Sequence, residues 1–493
     1  MDYLKFKSGT DIRGVASEGV EGEHINLTDY AVKSMTGGFL LWLEKYLNMP
    51  TDKMKISVGH DSRISAHRIK NAVVEVLMMA GVHVIDCGLS STPAMFMTTI
   101  ELSCNAAIQL TASHHPFNRN GLKFFTKNGG LEGSDITEIL QYANEGKMPK
   151  EADGGFEENV DFMTRYAEIL RNKIIDGTGE ERPLEGFKIV VDAGNGAGGF
   201  YATKVLKPLG ADITGSQFLE PDGMFPNHIP NPENEVAMQS VSKATVENHA
   251  DLGVIFDTDV DRASCVDSHG FEINRNRIVA LAASLALENC KGGTVVTDSV
   301  TSSGLKTFIE KDLGGHHYRY RRGYKNVIDR AIELNDQGIK TPLAIETSGH
   351  AAFEENYFLD DGAYLITKII IKAALLNKQG KTVDELIKSL KEPAEAKEYR
   401  FKINCDDFKS YGEKVIDELE KYSNRQGWAV ADDNREGVRV SLLNGWFLLR
   451  LSVHDPIMPL NIESDEQGGV DKIRLELKKF LQGCEKLDIS PIE

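Results

Sequence analysis

The chain has 493 residues, 41% hydrophobic and 26% charged, which is typical of globular proteins of three or four domains. A formal net charge of −18 argues against a nucleic-acid partner and against an anionic membrane surface, since both bind basic faces. No secretory signal, bilayer-spanning run or CxxC pair is present, so we expect a cytoplasmic protein whose six cysteines are reduced.

Short β-branched runs alternate with amphipathic stretches over the first two-thirds of the chain, which predicts α/β domains with crossover helices. Three rounds of predicted strands follow one another, at 55–58, 82–86 and 106–111, then 188–191, 211–214 and 252–256, then 294–297, 317–319 and 342–345. Each round ends in a polar loop, at 111–116, 257–262 and 346–350. Ligands bind beyond the carboxyl ends of such strands, so a diverged triplication would line one cleft with three loops.

The last hundred residues follow a different, α+β pattern. Strands are predicted at 398–404, 437–441 and 446–451, and helices at 407–422 and 469–482. We therefore predict three similar α/β domains with mixed sheets and a C-terminal α+β domain, with boundaries at 1–160, 161–270, 271–393 and 394–493.

The loop at 257–262, D-T-D-V-D-R, carries three carboxylates at alternate positions after an apolar strand. Asp257, Asp259 and Asp261 can converge on one hard cation, and burying three like charges without a cation is very unfavourable. An EF-hand loop is excluded, because Arg262 stands at its sixth position and Ser268 at its twelfth. A solvated acidic turn remains the alternative.

The other loops are individually weak signals. Ser113, in T-A-S-H-H-P, is a candidate nucleophile, and the histidines beside it, among them His114, can bind phosphate or move protons. Lys123 lies ten residues further on and can neutralise phosphoryl charge. Three further segments offer groups suited to a sugar or a phosphate: Arg13 in a Gly-bracketed turn, E-T-S-G-H at 346–350, and Arg450 with Ser452 in R-L-S-V-H-D-P.

The order of these loops resembles that of the α-D-phosphohexomutase superfamily over nearly the whole chain. Residues 111–116 resemble its phosphoserine loop, 257–262 its magnesium loop, 346–350 its sugar-specificity loop and 450–456 its phosphate-binding loop. Supporting matches are V-G-H-D-S-R at 58–63, P-D-G at 221–223, F-P-N-H at 225–228 and G-Y-K at 323–325.

The resemblance implies a phosphohexomutase with four domains in a heart-shaped arrangement. It would interconvert the 1- and 6-phosphates of glucose or mannose through phosphoserine, with glucose 1,6-bisphosphate as activator and intermediate. The implied Mg²⁺ ligands are Ser113, Asp257, Asp259 and Asp261. The implied catalytic residues are Ser113, Lys123, Arg13, Arg262 and His114, and the implied substrate-binding residues are Glu346, Ser348, His350, Lys325, Arg450, Ser452 and His454.

We expect a monomer or homodimer whose partner is a small-molecule sugar phosphate, with no nucleic acid and no membrane. The fourth domain is expected to move on a hinge near residue 393. Closure of the loops would keep water from the phosphoserine.

Several positions depart from the family pattern. His115 replaces an Asn, Ile345 replaces a Gly, Thr347 fills the variable position of the sugar loop, and His454 and Asp455 stand where a hydroxyl and a carboxylate are usual. The basic residue usual after Pro456 is missing. Alternatives therefore stay open: a phosphoglucosamine mutase, a phosphatase that uses phosphoserine, or a non-catalytic sugar-phosphate-binding relative.

Overall fold

The computed structural model of the protein describes residues 2–433, 435–452 and 455–492. The chain forms two compact units, which we call the first unit (residues 1–278 and 348–385) and the second unit (residues 279–347 and 386–493). All six cysteines are free thiols. Across the described ranges, no helix is both long and apolar enough to cross a membrane.

The first unit begins with a mixed sheet of eight strands: β1 (Lys7–Ser8), β2 (Asp11–Val15), β3 (Lys55–His60), β4 (His83–Leu89), β5 (Ala106–Leu110), β6 (Arg119–Thr126), β7 (Gly129–Gly130) and β8 (Phe156–Asn159). The strand order is β1-β2-β6-β5-β3-β4-β8, with β7 beside β6. Strands β5, β3, β4 and β8 are parallel, whereas β6 runs antiparallel to both β5 and β2. The carboxyl ends of β3 and β5 therefore lie at one edge of the sheet, as the sequence predicted.

Five helices accompany this sheet: α1 (Asp29–Leu47), α2 (Ala66–Met79), α3 (Thr92–Glu101), α4 (Gly133–Asn144) and α5 (Phe162–Thr178). Helix α3 begins at an N-cap serine, Ser91, whose hydroxyl accepts the Ala94 amide, with a proline in the first turn. Apolar residues of α1, α2 and α4 share one core with the strands, so burial of these helix faces fixes the sheet behind the loops.

The second sheet of the first unit repeats the pattern with β9 (Ile189–Asp192), β10 (Leu252–Phe256), β11 (Ala263–Asp267) and β12 (Glu272–Ile273). Its order is β12-β11-β10-β9, with β9 parallel to β10 and β10 antiparallel to β11. Helix α6 (Glu235–Glu247) precedes β10, and α7 (Asn276–Glu288) follows β12. The loop between β10 and β11 is the acidic loop of the sequence.

The second unit contains three parallel strands in the order β14-β13-β15, namely β13 (Thr294–Thr297), β14 (His316–Arg319) and β15 (Leu343–Ile345). Its helices α8 (Ser303–Thr307) and α9 (Tyr324–Asp336) connect them. The chain then returns to the first unit with β16 (Ala351–Phe353) and α10 (Gly362–Asn377), a helix that packs on α5 and β11.

The C-terminal part of the second unit is a sheet of six strands: β17 (Glu395–Ile403), β18 (Ala429–Val430), β19 (Val438–Leu442), β20 (Gly445–Leu449), β21 (Ile457–Ser464) and β22 (Leu487–Asp488). The order is β18-β19-β20-β21-β17-β22, and every pair is antiparallel. Helices α11 (Phe408–Arg425) and α12 (Gly469–Leu481) bury their apolar faces on it.

Buried arginines tie this sheet to the loop after β13, within the second unit. Arg439 of β19 donates to the carbonyl oxygens of Ser299 and Thr301, each at 3.0 Å, and its guanidinium carbon lies 3.5 Å from the ring centre of Trp446. Trp446 in turn donates to Glu463 at 2.8 Å. Arg319, at the end of β14, donates to the Ser302 carbonyl at 2.9 Å. The arginines thus satisfy backbone carbonyls that would otherwise be buried without partners.

Three local predictions were wrong. Arg13, predicted in a Gly-bracketed turn, lies in strand β2, because the turn covers only Gly9 and Thr10 and the next residues pair with β6. The strand predicted at 211–214 is reduced to a single bridge at Asp212, whose side chain accepts the Thr214 amide at 2.9 Å and so turns the chain. The segment after Pro456, where no strand was predicted, is the eight-residue strand β21, although it contains Pro459. The α/β and α+β division of the fold is confirmed.

Candidate active site

Ser113 lies in the loop directly after β5, as predicted. Thr111 Oγ1 accepts the Ser113 amide at 2.9 Å and so bends the chain after the strand. The φ angle of Ser113 is +50°, in the left-handed region, which disfavours a side-chain-bearing residue by roughly 1–2 kcal/mol. A buried serine held in such a conformation is typical of a functional loop.

The three aspartates of the loop between β10 and β11 are all buried. Asp257, Asp259 and Asp261 each offer an oxygen, and these atoms lie within 4.8 Å of one another. Within the described ranges, Asp259 Oδ1 and Asp261 Oδ1 are buried and accept no hydrogen bond. Carboxylate oxygens in this arrangement fit a hard divalent cation, which would satisfy them.

Two cationic side chains face the carboxylates. Arg262 Nη2 donates to Ser113 Oγ at 2.8 Å and to Asp257 Oδ2 at 2.9 Å. Lys123 Nζ lies 2.5 Å from Asp261 Oδ2 and 3.5 Å from Asp259 Oδ2. Ser113 Oγ itself lies 3.3 Å from Asp257 Oδ2. The structure therefore brings the predicted serine, aspartates, lysine and arginine into one cluster inside the first unit.

The pKa values of Asp257 and Asp261 shift in opposite directions. Burial, reinforced by Asp261 and Asp259, raises the pKa of Asp257 well above its ordinary value. Burial acts in the same direction on Asp261, but Lys123, together with His350 and Arg262, lowers the pKa of Asp261 below its ordinary value. An additional cation beside Asp257 would favour its charged form.

Arg13 and His114 border the cluster. Arg13 is opposite Gly121 across the pairing of β2 with β6, so its side chain shares a sheet face with Lys123, and its Nη2 donates to Asp11 at 2.9 Å. Burial, together with Arg262, lowers the pKa of His114 to about 2. His114 is therefore neutral at neutral pH, and its Nδ1 lies 2.7 Å from Arg262 Nη2, where it accepts a hydrogen bond.

The predicted sugar-binding loop is divided between the two units. In the first unit Ser348 is buried, and His350 Nδ1 lies 2.6 Å from Asp360 Oδ2 and 3.8 Å from Asp261 Oδ1. Burial acts to lower the pKa of His350, but Asp360 and Asp261 raise it to about 9. His350 is thus a cation at neutral pH.

In the second unit Glu346 accepts the Gly323 amide at 2.6 Å. Thr347 donates to Asp298 at 2.7 Å, and burial, with the charge of Glu346, raises the pKa of Asp298 to about 7. Lys325, in the first turn of α9, lies 2.5 Å from Asp329. The glutamate and the lysine therefore belong to the same face of the second unit, around the start of α9.

The predicted phosphate loop follows β20. Arg450 is buried, and its Nε has no hydrogen-bond partner in the described part of the chain. Burial lowers the pKa of Arg450, while Glu436 opposes this effect. Ser452 is half-buried, with its hydroxyl accepting the Asp455 amide at 3.3 Å. His454 lies outside the described residues.

Sequence reasoning missed three residues of the site. Thr92, at the start of α3, donates to Asp259 through both its hydroxyl, at 2.5 Å, and its amide, at 2.8 Å. Asp360 orients His350 through a contact with its Nδ1. Arg63 holds the Ser113 loop by donating hydrogen bonds to backbone carbonyl groups of that loop. Only Arg63 had a signal, in the V-G-H-D-S-R match.

The fold is that of an α/β protein, and its site contains a buried acidic cluster that could hold a metal ion. The family models for phosphoglucomutase/phosphomannomutase alpha/beta/alpha domains I, II and III match residues 5–150, 164–270 and 274–393.

Curated relatives match over nearly the full length. A phosphoglucomutase/phosphomannomutase of Thermococcus kodakarensis is 31% identical over 466 residues, covering 92% of this chain and 94% of the relative. A phosphomannomutase/phosphoglucomutase of Pseudomonas syringae pv. tomato is 28% identical over 475 residues, covering 95% and 94%. A crystal structure of a family protein from Burkholderia thailandensis shares the fold, with a TM-score of 0.81, 24% identity and 98% coverage of both chains.

The chain therefore belongs to the phosphoglucomutase/phosphomannomutase family of the α-D-phosphohexomutase superfamily. Its activity class is that of a phosphohexomutase, an isomerase that acts on hexose phosphates.

Proposed function

We propose that this chain interconverts hexose 1-phosphate and hexose 6-phosphate through a phosphoserine at Ser113 and a hexose 1,6-bisphosphate intermediate. One observation carries the proposal: Ser113 Oγ receives a hydrogen bond from Arg262 at 2.8 Å and lies 3.3 Å from Asp257, one of three clustered carboxylates. A structural serine has no need of a buried guanidinium and an acidic cluster, whereas a phosphoryl carrier needs both.

Asp257, Asp259 and Asp261, together with the phosphate on Ser113, would hold Mg²⁺. When bound, the ion supplies neutralisation of the charge that develops on the transferring phosphoryl group. Among the described residues, one oxygen each of Asp259 and Asp261 accepts no hydrogen bond, and both atoms are buried, which favours this assignment over a solvated acidic turn.

The transfer itself breaks the bond between phosphorus and Ser113 Oγ and forms a bond to the free hydroxyl of the sugar. Arg262 stabilises the negative charge left on Oγ, since it already donates to that atom. Lys123, an ammonium paired with Asp261 at 2.5 Å, is our candidate for both proton transfers: it gives a proton to Ser113 Oγ as the phosphoryl group leaves, and the resulting neutral amine accepts the proton of the sugar hydroxyl. His350 is charged at neutral pH and so donates a hydrogen bond rather than accepting a proton.

Arg13 and His114 are the remaining predicted catalytic residues. Arg13 adds positive charge on the same sheet face as Lys123. His114, neutral because of its low pKa, orients Arg262 by accepting its hydrogen bond. We assign it that orienting role in place of proton transfer.

Binding of the sugar and of its second phosphate is assigned to the remaining predicted residues. Glu346, Ser348, His350 and Lys325 would contact sugar hydroxyls, and Arg450, Ser452 and His454 would contact the phosphate that does not react. The Nε of Arg450, which has no hydrogen-bond partner among the described residues, supports its part in this assignment. We propose glucose or mannose phosphates as substrates, ahead of glucosamine phosphate.

The test is a coupled assay with Mg²⁺ and a trace of glucose 1,6-bisphosphate, on the 1-phosphates of glucose, mannose and glucosamine. Intact mass spectrometry would follow phosphate on Ser113, and Ser113→Ala is the control. We expect turnover and an added phosphate in the wild type, and neither in the variant. The ratio of the rates with the three 1-phosphates identifies the preferred sugar.

Two results would contradict the proposal. Release of inorganic phosphate in proportion to substrate would identify a phosphatase. Tight binding of a sugar phosphate without turnover or phosphorylation would identify a non-catalytic relative.

A further inference from the structure

The loop that carries Ser113 is held from beneath by one side chain, Arg63, which lies in the turn between β3 and α2. Its Nη2 donates to the carbonyl oxygens of Ser113, at 2.5 Å, and of His115, at 2.7 Å. Its Nη1 donates to the carbonyl oxygens of Pro116, at 2.7 Å, and of Arg119, at 2.8 Å. Four carbonyls of one loop thus converge on a single guanidinium.

Arg63 is itself fixed on every side. Its Nε lies 3.3 Å from Asp61 Oδ2, and its backbone amide donates to Asp61 Oδ1 at 2.9 Å. Its guanidinium carbon lies 5.3 Å from the ring centre of Phe225. A Cβ on Gly223 would come within 2.7 Å of the Arg63 Cα, so the segment carrying Phe225 packs directly on this turn. Arg63 is 2% exposed, and its side chain is fully buried.

The loop needs such a support, because Ser113 has a φ angle of +50° and its own amide is the donor to Thr111. A left-handed serine relaxes toward other conformations unless its surroundings determine it. The Ser113 carbonyl is the group that Arg63 binds, so the guanidinium fixes the peptide that follows the nucleophile.

We propose that Arg63 is a positioning residue for the phosphoserine loop, whose guanidinium sets the backbone conformation that aims Ser113 Oγ at the transferring phosphate. The inference rests on the proposed phosphoserine mechanism. Only arginine suits the task, since its planar fork reaches four acceptors at once, whereas a lysine ammonium has three donors on a flexible stem.

Arg68, in α2, provides a matched control. It also donates to two carbonyl oxygens, of Ala16 at 2.9 Å and of Leu27 at 3.0 Å, and pairs with Asp29, but it does not touch the Ser113 loop. Arg63→Lys and Arg68→Lys thus each remove a carbonyl-binding guanidinium group, although the Arg68 side chain is 35% exposed and that of Arg63 is fully buried. Only the first should affect positioning.

The experiment compares kcat and KM for glucose 1-phosphate, the melting temperature, and the rate at which water removes phosphate from Ser113 after charging with glucose 1,6-bisphosphate. For Arg63→Lys we expect kcat to fall at least tenfold with KM within threefold, and phosphoserine hydrolysis to change severalfold. Arg68→Lys should keep both within twofold, with a smaller loss of melting temperature because its side chain is 35% exposed.

A folded Arg63→Lys protein with wild-type kcat would overturn the inference, and so would a loss of kcat that Arg68→Lys matches. If Arg63→Lys does not fold, Phe225→Leu takes its place, because Phe225 is only half-buried and packs on the guanidinium. That variant should lower kcat two- to fivefold at constant KM, and an unchanged kcat would overturn the inference. Wild-type protein that never carries phosphate on Ser113 would instead refute the proposed function itself.

Discussion

Two clusters of buried charge, one in each unit, are built in opposite ways. The acidic centre of the first unit gathers three carboxylates and leaves oxygens of Asp259 and Asp261 without hydrogen bonds among the described residues. The arginine cluster of the second unit directs Arg439 and Arg319 at backbone carbonyls, all at 2.9–3.0 Å. Burial is similar in both clusters. The difference is whether the buried polar atoms have hydrogen-bond partners, and this separates a proposed ligand site from a structural cluster.

The largest effect should come from neutralising one carboxylate of the acidic centre. We expect Asp259→Asn to lower kcat at least a thousandfold, which is about 4 kcal/mol, while the melting temperature stays the same or rises, because one of three repelling charges is removed. Coupled assay at saturating Mg²⁺ and calorimetry measure the two quantities.

Asp176→Asn, at an exposed position of α5, is the control and should change neither. An Asp259→Asn protein with normal kcat and a lowered melting temperature would reverse the comparison, since the aspartate would then serve folding.

In the second unit we expect the loss of a buried charge to lower the stability of the fold. Arg439→Met should lower the free energy of unfolding by about 3–5 kcal/mol, because the buried Glu463 loses the positive charge near it and two carbonyls lose their donor. Urea titration followed by tryptophan fluorescence measures this, with exposed Arg425→Met as the control. Restoration of part of the loss by Glu463→Gln in the same chain would sharpen the assignment, and a fully stable Arg439→Met protein would contradict it.

Arg450 combines features of both clusters, since it is buried like Arg439 but its Nε has no hydrogen-bond partner in the part of the chain that the structure describes. We expect Arg450→Ala to raise KM for glucose 1-phosphate at least tenfold, which is ~1.4 kcal/mol, with a smaller change in kcat. Steady-state kinetics beside Arg425→Ala measure the effect. An unchanged KM would mean that the phosphate is bound by other residues.

The loops of the site could be predicted because local sequence determines them. Ser113 and Asp257 each follow an apolar strand directly, and the ends of such strands are where α/β proteins bind ligands. Lys123 shares the predicted neighbourhood of Ser113 through the antiparallel pairing of β5 with β6.

Residues joined only by the tertiary fold could not be predicted in the same way. Thr92 meets Asp259 across 167 positions of sequence, and Arg63 meets Ser113 across 50. Strand β21 was missed because Pro459 interrupts its apolar run, and a proline usually indicates that a segment is not a strand. In each case a contact distant in sequence outweighs the local signal.

The left-handed backbone at Ser113 has a consequence for evolution and for engineering. Glycine is the residue that this conformation favours, yet glycine has no hydroxyl to carry a phosphate. If Ser113 carries the phosphoryl group, as we propose, selection for stability and selection for catalysis act in opposite directions at position 113. A library screened only for heat resistance should accumulate glycine there and lose the activity without any sign of damage to the fold.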